Sequence, residues 1–233
     1  MRRLGALLLV GVFGCAPAAA QNPPFLSEPG WTALLNGRDL DGWQAQEGKA
    51  SAWFTTSQVI HNGPEGKTAN LVTTRKFGDV ELYIEFLIPK GSNSGVYLHG
   101  LYEIQILDSF GAVGPGKTSD CGAVYHRWID GRPVGGSPPS TNASRAPGEW
   151  QSFRIWFRAP RFDSSGNKTA SARFLRVLHN GVAVQENVEV EGPTRAHMNH
   201  AEAARNPLMI QGDHGPVACR NIQVRPLEAN TQR

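Results

Sequence analysis

Short runs in which apolar and polar residues alternate recur along the chain, each closed off by Gly, Pro, Asn or Asp, and this two-residue period constrains the fold more than any other feature. In Val80 to Ile88, the residues Val80, Leu82, Ile84, Phe86 and Ile88 fall on one side, with Glu81, Tyr83 and Glu85 on the other. In Gln151 to Arg158, Phe153, Ile155 and Phe157 alternate with Arg154, Trp156 and Arg158. Successive side chains of a strand point to opposite faces, so each run predicts a strand with one face in a core. Similar runs span Val59-Ile60, Ala69 to Thr73, Gly122 to His126, Ala170 to His179, Val182 to Val190 and Ile222 to Arg225. Asn180-Gly181 supplies the positive φ angles of a tight hairpin between two of them. Many short strands and a single helical hint, Arg195 to Arg205 before Pro207, predict an all-β sandwich or barrel.

The run from Asn93 to Ser109 reads as a further hairpin and carries the richest chemistry. Val96, Leu98, Ile104 and Ile106 share one face; Tyr97, His99, Glu103 and Gln105 share the other. Short connections make Val80 to Ile88 a neighbour of this hairpin, which would bring Glu85 to the same polar surface. Two carboxylates, an imidazole and an amide on one face suit carbohydrate chemistry, where one group protonates a leaving oxygen and another acts as base or nucleophile. The plain alternative is a sheet face that meets water. Tyr97 and Tyr83 favour a ligand, because the C–H face of a sugar ring packs on aromatics.

A second cluster follows the apolar stretch Leu208-Met209-Ile210, where Gln211-Gly-Asp-His-Gly215 delivers Asp213 and His214 at a strand end. Asp213 would orient the imidazole for proton transfer, whereas an Asx or glycine turn is the simpler account. Asp120, at the head of Asp120 to Tyr125, is a third candidate ligand contact or a turn residue. The carboxylates and imidazoles would permit a divalent metal, but no ligand spacing requires one, and His197-Met-Asn-His200 lacks an acidic partner. There is no nucleophile elbow, phosphate loop or dinucleotide fingerprint.

Arg2 and Arg3 precede an apolar run from Leu4 to Phe13 and the small-residue stretch Ala18-Ala19-Ala20, which predicts an export signal over residues 1–20 and a periplasmic or secreted protein. Cys15 offers a competing reading as the lipid-bearing first residue of a lipoprotein, with Phe13 bulky for that cleavage. Residues 21–30 read as a lead-in, 31–227 as one domain and 228–233 as a tail. With Arg2 and Arg3 removed from the 23 basic residues, 21 stand against 20 acidic ones, so no charge excess calls for nucleic acid or an anionic membrane. No later segment is long and apolar enough for a transmembrane helix. Cys121 and Cys219 remain, either as a disulfide or as two buried thiols.

Four motifs taken together resemble one exported bacterial family: Trp31-Thr-Ala-Leu-Leu-Asn-Gly-Arg-Asp-Leu-Asp-Gly-Trp43, Asn93-Ser-Gly-Val-Tyr-Leu-His99 continuing to Tyr102-Glu-Ile-Gln-Ile-Leu-Asp108, Pro147-Gly-Glu-Trp150, and Gln211-Gly-Asp-His-Gly215 before Arg220-Asn-Ile222. The family is the 3-keto-disaccharide hydrolases, and the match in order and spacing spans nearly the whole domain. The resemblance implies a concanavalin A-like jelly-roll sandwich of two antiparallel sheets, with a carbohydrate site on a curved sheet. It also implies hydrolysis of glycosides oxidised at carbon 3, by elimination and hydration. On that reading Glu103 is the acid/base, Gln105 and His99 hold hydroxyls or the developing enolate, and Glu85 or the Asp213-His214 pair completes the proton relay. Tyr97 and Asp120 would line the substrate. A non-catalytic carbohydrate-binding module is the main alternative, since such folds serve lectins as readily. A retaining glycosidase acting on unoxidised sugars ranks lower, because Glu103-Ile-Gln-Ile-Leu-Asp108 lacks the expected carboxylate run. Two departures stand out: His99 where many relatives carry arginine, and Cys219 where an apolar residue is usual.

Overall fold

The computed structural model describes residues 22–227, so the expected export signal, Cys15 and the C-terminal tail lie outside the described residues. Two antiparallel sheets face each other. The larger runs, in spatial order, Val182–Val190, Ala172–His179, Gln151–Arg158, Val80–Leu87, Ala218–Pro226, Val59–His61 and Phe54–Thr56, with Thr32–Ala33 also paired to Ala218–Pro226. The smaller runs Trp43–Ala45, Leu71–Phe77, Asn206–Ile210, Asn93–Leu98 and Tyr102–Leu107. This is the expected all-β jelly-roll sandwich.

The core lies between the sheets and is built from the alternating sets. Leu82, Ile84 and Phe86 meet Phe153, Ile155, Phe157 and Phe174 from the larger sheet, and Val96, Leu98, Ile104 and Ile106 face them from the smaller one. Gln151–Arg158 alternates buried and half-buried along its whole length. The polar side of Val80–Leu87 is buried as well, for a different reason. The lead-in crosses it, stacking Phe25 edge-on to Tyr83, while Arg154 and Arg225 both pair with Glu81. Asn180 and Gly181 take φ of 51° and 83°, as the hairpin requires.

Several expectations are corrected. Val80–Leu87 and the Asn93–Leu107 hairpin belong to different sheets, because Pro89 to Ser92 crosses the edge of the sandwich instead of turning back within one sheet. Arg195 to Arg205 forms turns and irregular backbone, not a helix; the only helical segments among the described residues are the single 3₁₀ turns Pro24–Ser27 and Gln46–Gly48. Gly122 to His126 contributes two isolated bridges in place of a strand, Val124 to Ile104 and Val124 to Ser137. Of the two readings left open for Cys121 and Cys219, the second holds: both are buried free thiols. Among the described residues no helix is long and apolar enough to cross a membrane.

Candidate active site

The outer face of the smaller sheet presents one row of side chains across four strands. Met209 pairs with both Val72 and Tyr97, and Tyr97 pairs with Glu103. The bridge between Ile104 and Val124 then sets Tyr125 beside Glu103, where its N–H donates to the Glu103 carbonyl at 3.1 Å. The inner half of this row is closed: Val72, Met209 and Tyr97 form an apolar cluster capped by Met198. The outer half, from Glu103 to the half-buried Tyr125, is bordered by the next row, Gln211, Gly95 and Gln105.

Glu103 is the centre of this arrangement and is only 2% exposed. Its Oε2 accepts a 2.7 Å hydrogen bond from the Tyr97 hydroxyl, which also lies 3.2 Å from the Arg195 carbonyl. Its backbone N–H donates to Thr194 Oγ1. Gly95 leaves the space the carboxyl needs, since a Cβ there would sit 2.3 Å from Glu103 Oε1. Burial, opposed by the Tyr97 hydrogen bond and aided by the charge of Asp213, raises the Glu103 pKa to about 8. At neutral pH the side chain is therefore mostly a carboxylic acid, able to give a proton. Burial and the neighbouring carboxyl likewise push the Tyr97 phenol well above its usual value.

Gln105 is almost fully buried, yet its Oε1 has no partner among the described residues. An orphaned amide oxygen beside a buried acid marks a place where a ligand's polar groups would complete the bonding. Asp213 and His214 do pair, with 2.5 Å between Oδ1 and Nδ1, although they are adjacent in sequence; both are about half exposed. The loop that carries them is tightly braced. Asn62 donates to the Gly212 and Gly215 carbonyls and accepts from the Val217 N–H. A Cβ on Gly215 would lie 2.4 Å from Ser92 Oγ.

The structure thus brings together Glu103, Gln105, Tyr97 and Asp213, with His214 held on Asp213. It does not bring in Glu85, His99 or Asp120. Glu85 stands on the outer face of the opposite sheet, bound to Arg220, Tyr83 and Asn221. His99 takes a φ of 59° at the turn, which swings its ring into the inter-sheet core against Phe157 and Tyr102. Burial there lowers its pKa to about 4. Asp120 closes a turn by accepting from the Lys117 N–H. Tyr97 is fully buried, so it positions Glu103 and cannot form a sugar platform. Gln211, Tyr125, Thr194, Arg195 and Asn62 join the site without having been singled out. For Tyr125 the alternation after Asp120 was the available signal; for Asn62, some 150 residues from its partners, there was none. Among the described residues no group of three or more His, Cys, Asp and Glu side chains is placed to hold a metal ion.

A family model described as the 3-keto-alpha-glucoside-1,2-lyase-like domain matches residues 30–225. The chain belongs to this family. Both sheets and every residue of the site fall inside the matched span of the 3-keto-alpha-glucoside-1,2-lyase-like domain, save the last residue of Ala218–Pro226. An inferred glycosyl hydrolase of Parabacteroides distasonis is similar in structure, at 28% identity over 85% of this chain and 84% of that one, with a TM-score of 0.68. Two more inferred glycosyl hydrolases of the same organism share the fold. One is 19% identical over 85% of this chain and 94% of that one, with a TM-score of 0.60. The other is 22% identical over 84% and 99%, with a TM-score of 0.57. No curated protein matches the chain.

Proposed function

We propose that this protein is an exported glycoside hydrolase that cleaves 3-keto-glycosides by elimination and hydration. The observation that carries the reading is Glu103, a carboxyl buried on the outer face of the smaller sheet, held by the Tyr97 hydroxyl and set beside the unpartnered amide oxygen of Gln105, with burial raising its pKa to about 8. The family description, which names a 1,2-lyase acting on a 3-keto-α-glucoside, supports the elimination step.

The chemistry follows from the ketone. A carbonyl at carbon 3 acidifies the carbon 2 proton. His214, oriented through Nδ1 by Asp213, removes that proton at its free Nε2, and the electron pair moves into the carbon 3 oxygen as an enolate. Gln105 donates an amide hydrogen to the enolate oxygen, which stabilises charge as it develops. The enolate then re-forms the ketone, a double bond forms between carbons 1 and 2, and the carbon 1 to oxygen bond breaks. Glu103 gives its proton to the departing oxygen. In the second half water adds at carbon 1 with loss of its proton to Glu103, and carbon 2 regains a proton from His214, so the sum is hydrolysis. The two groups act as an acid and base pair because their surroundings differ: Glu103 is buried and neutral, while His214 is half exposed.

The test is incubation of the purified protein with 3-keto-glycosides and their unoxidised parents, comparing the wild type with Glu103→Gln. Release of the aglycone from the oxidised sugars alone, lost in the variant, is expected. Turnover of the unoxidised parents alone would overturn the proposal.

A further inference from the structure

The open end of the Glu103 row leads to a second set of groups that the reaction does not use. Tyr125, beside Glu103, stacks on His126 with ring centroids 4.2 Å apart. His126 leads on to Trp128, 6.1 Å away between centroids. Trp128 sits on the short hairpin Arg127–Ile129 and Arg132–Val134 and is 46% exposed, a large apolar surface left in solvent. The Arg195 guanidinium lies over the indole, 4.1 Å from its centroid, and so covers one face, while nearly half of the residue stays exposed. The Arg195 N–H donates to the His126 carbonyl, which ties this end to the segment that binds the Tyr97 hydroxyl. His126 is more than nine-tenths buried, yet its Nε2 has no partner among the described residues.

These groups fix the direction in which a substrate extends. On the far side of Glu103, Met198 closes the row over Tyr97, Val72 and Met209, so nothing bulky enters there. On the near side Gly136 stands next along the sheet edge and projects no side chain. A group expelled from carbon 1 as Glu103 protonates its oxygen is therefore directed away from Met198, toward the half-buried Tyr125 and the exposed Trp128. We propose that Tyr125, His126, Trp128 and Arg195 form the leaving-group subsite, and that it takes a ring, a second hexopyranose, in preference to a small alkyl group. The exposed part of the indole packs on the C–H face of that ring, and Arg195 and His126 Nε2 meet its hydroxyls. This assignment rests on Glu103 being the acid of the proposed reaction.

Two measurements on the full chain test it, with Trp128→Ala and the conservative Trp128→Phe. The first is kcat/KM for a 3-keto-disaccharide and for methyl 3-keto-glucoside. Trp128→Ala is expected to lower the disaccharide value about tenfold, as loss of one stacking contact implies, and to leave the methyl glycoside within about twofold; Trp128→Phe restores most of the loss. Equal effects on both substrates, or none, would overturn the subsite. The second is calorimetric binding of an unoxidised glucosyl disaccharide against methyl glucoside, which needs no turnover. Tighter disaccharide binding that Trp128→Ala abolishes supports the subsite, and binding indifferent to Trp128 refutes it. Absence of turnover on any 3-keto-glycoside would refute the reaction instead, and the binding measurement would still decide the subsite.

Discussion

Ionising Glu103 inside the fold should cost stability that can be read as a pH profile. Its midpoint rises from 4.5 to about 8 on folding. Between those values the native chain holds a proton that the unfolded chain has released, so stability falls as pH rises through this window and levels off above it. At about 1.4 kcal/mol per pH unit the cost between pH 5 and pH 9 is on the order of 4 kcal/mol. For a domain of this size each kcal/mol moves Tm by about 2–4 °C, so the expected loss is roughly 8–16 °C. Glu103→Gln keeps the shape and an acceptor for the Tyr97 hydroxyl but cannot ionise. The assay is thermal unfolding of wild type and variant side by side from pH 5 to 9. The wild-type Tm should fall away from that of the variant as pH rises, with other titrating groups cancelling in the difference. Two parallel profiles would refute the claim that burial holds this proton.

Three further outcomes follow from the same geometry. Tyr97→Phe removes the hydrogen bond that lowers the Glu103 pKa, and Asp213→Asn removes the charge that raises it; carboxyl titration by NMR should show the midpoint moving up in the first and down in the second. Gly95→Ala places a Cβ 2.3 Å from Glu103 Oε1, and should cut kcat about a hundredfold through misplacement of the acid while the circular dichroism spectrum stays that of the wild type. His99 and His179 are buried with pKa values lowered to about 4; the unfolded chain takes up their protons near pH 6.5, so stability should drop as pH falls from 6.5 to 4. His99→Asn, a residue that tolerates the positive φ, should flatten part of that drop in a Tm series.

The sandwich was legible in the sequence because strand alternation is local, so that Val80–Leu87, Asn93–Leu98 and Gln151–Arg158 each name their own buried face. Leu82, Ile84 and Phe86 declare the inner face of their strand within five residues, and they lie in the core as the period requires. Which sheet a strand joins is not local. Pro89 to Ser92 is short enough for a hairpin, and only the three-dimensional path shows it crossing between sheets, which carries Glu85 away from Glu103. His99 was misplaced because one positive φ at the end of Asn93–Leu98 breaks the alternation. Glu103 and Gln105 were legible from the period alone. The environment that gives Glu103 its proton was not, because Tyr97, Gly95, Thr194 and Asp213 reach it from other strands and loops.

The central claim is that the buried acid Glu103 serves an elimination across carbons 1 and 2. Turnover of a 3-keto-glycoside in deuterated water tests it most directly, with the product sugar examined by NMR at carbon 2. One deuterium at carbon 2 in the product of the wild type, with product formation lost in Glu103→Gln, is the predicted result. A product that keeps its original hydrogen at carbon 2, together with an unchanged rate for substrate deuterated at carbon 2, would contradict the account, because the carbon 1 bond would then have broken without any proton leaving its neighbour.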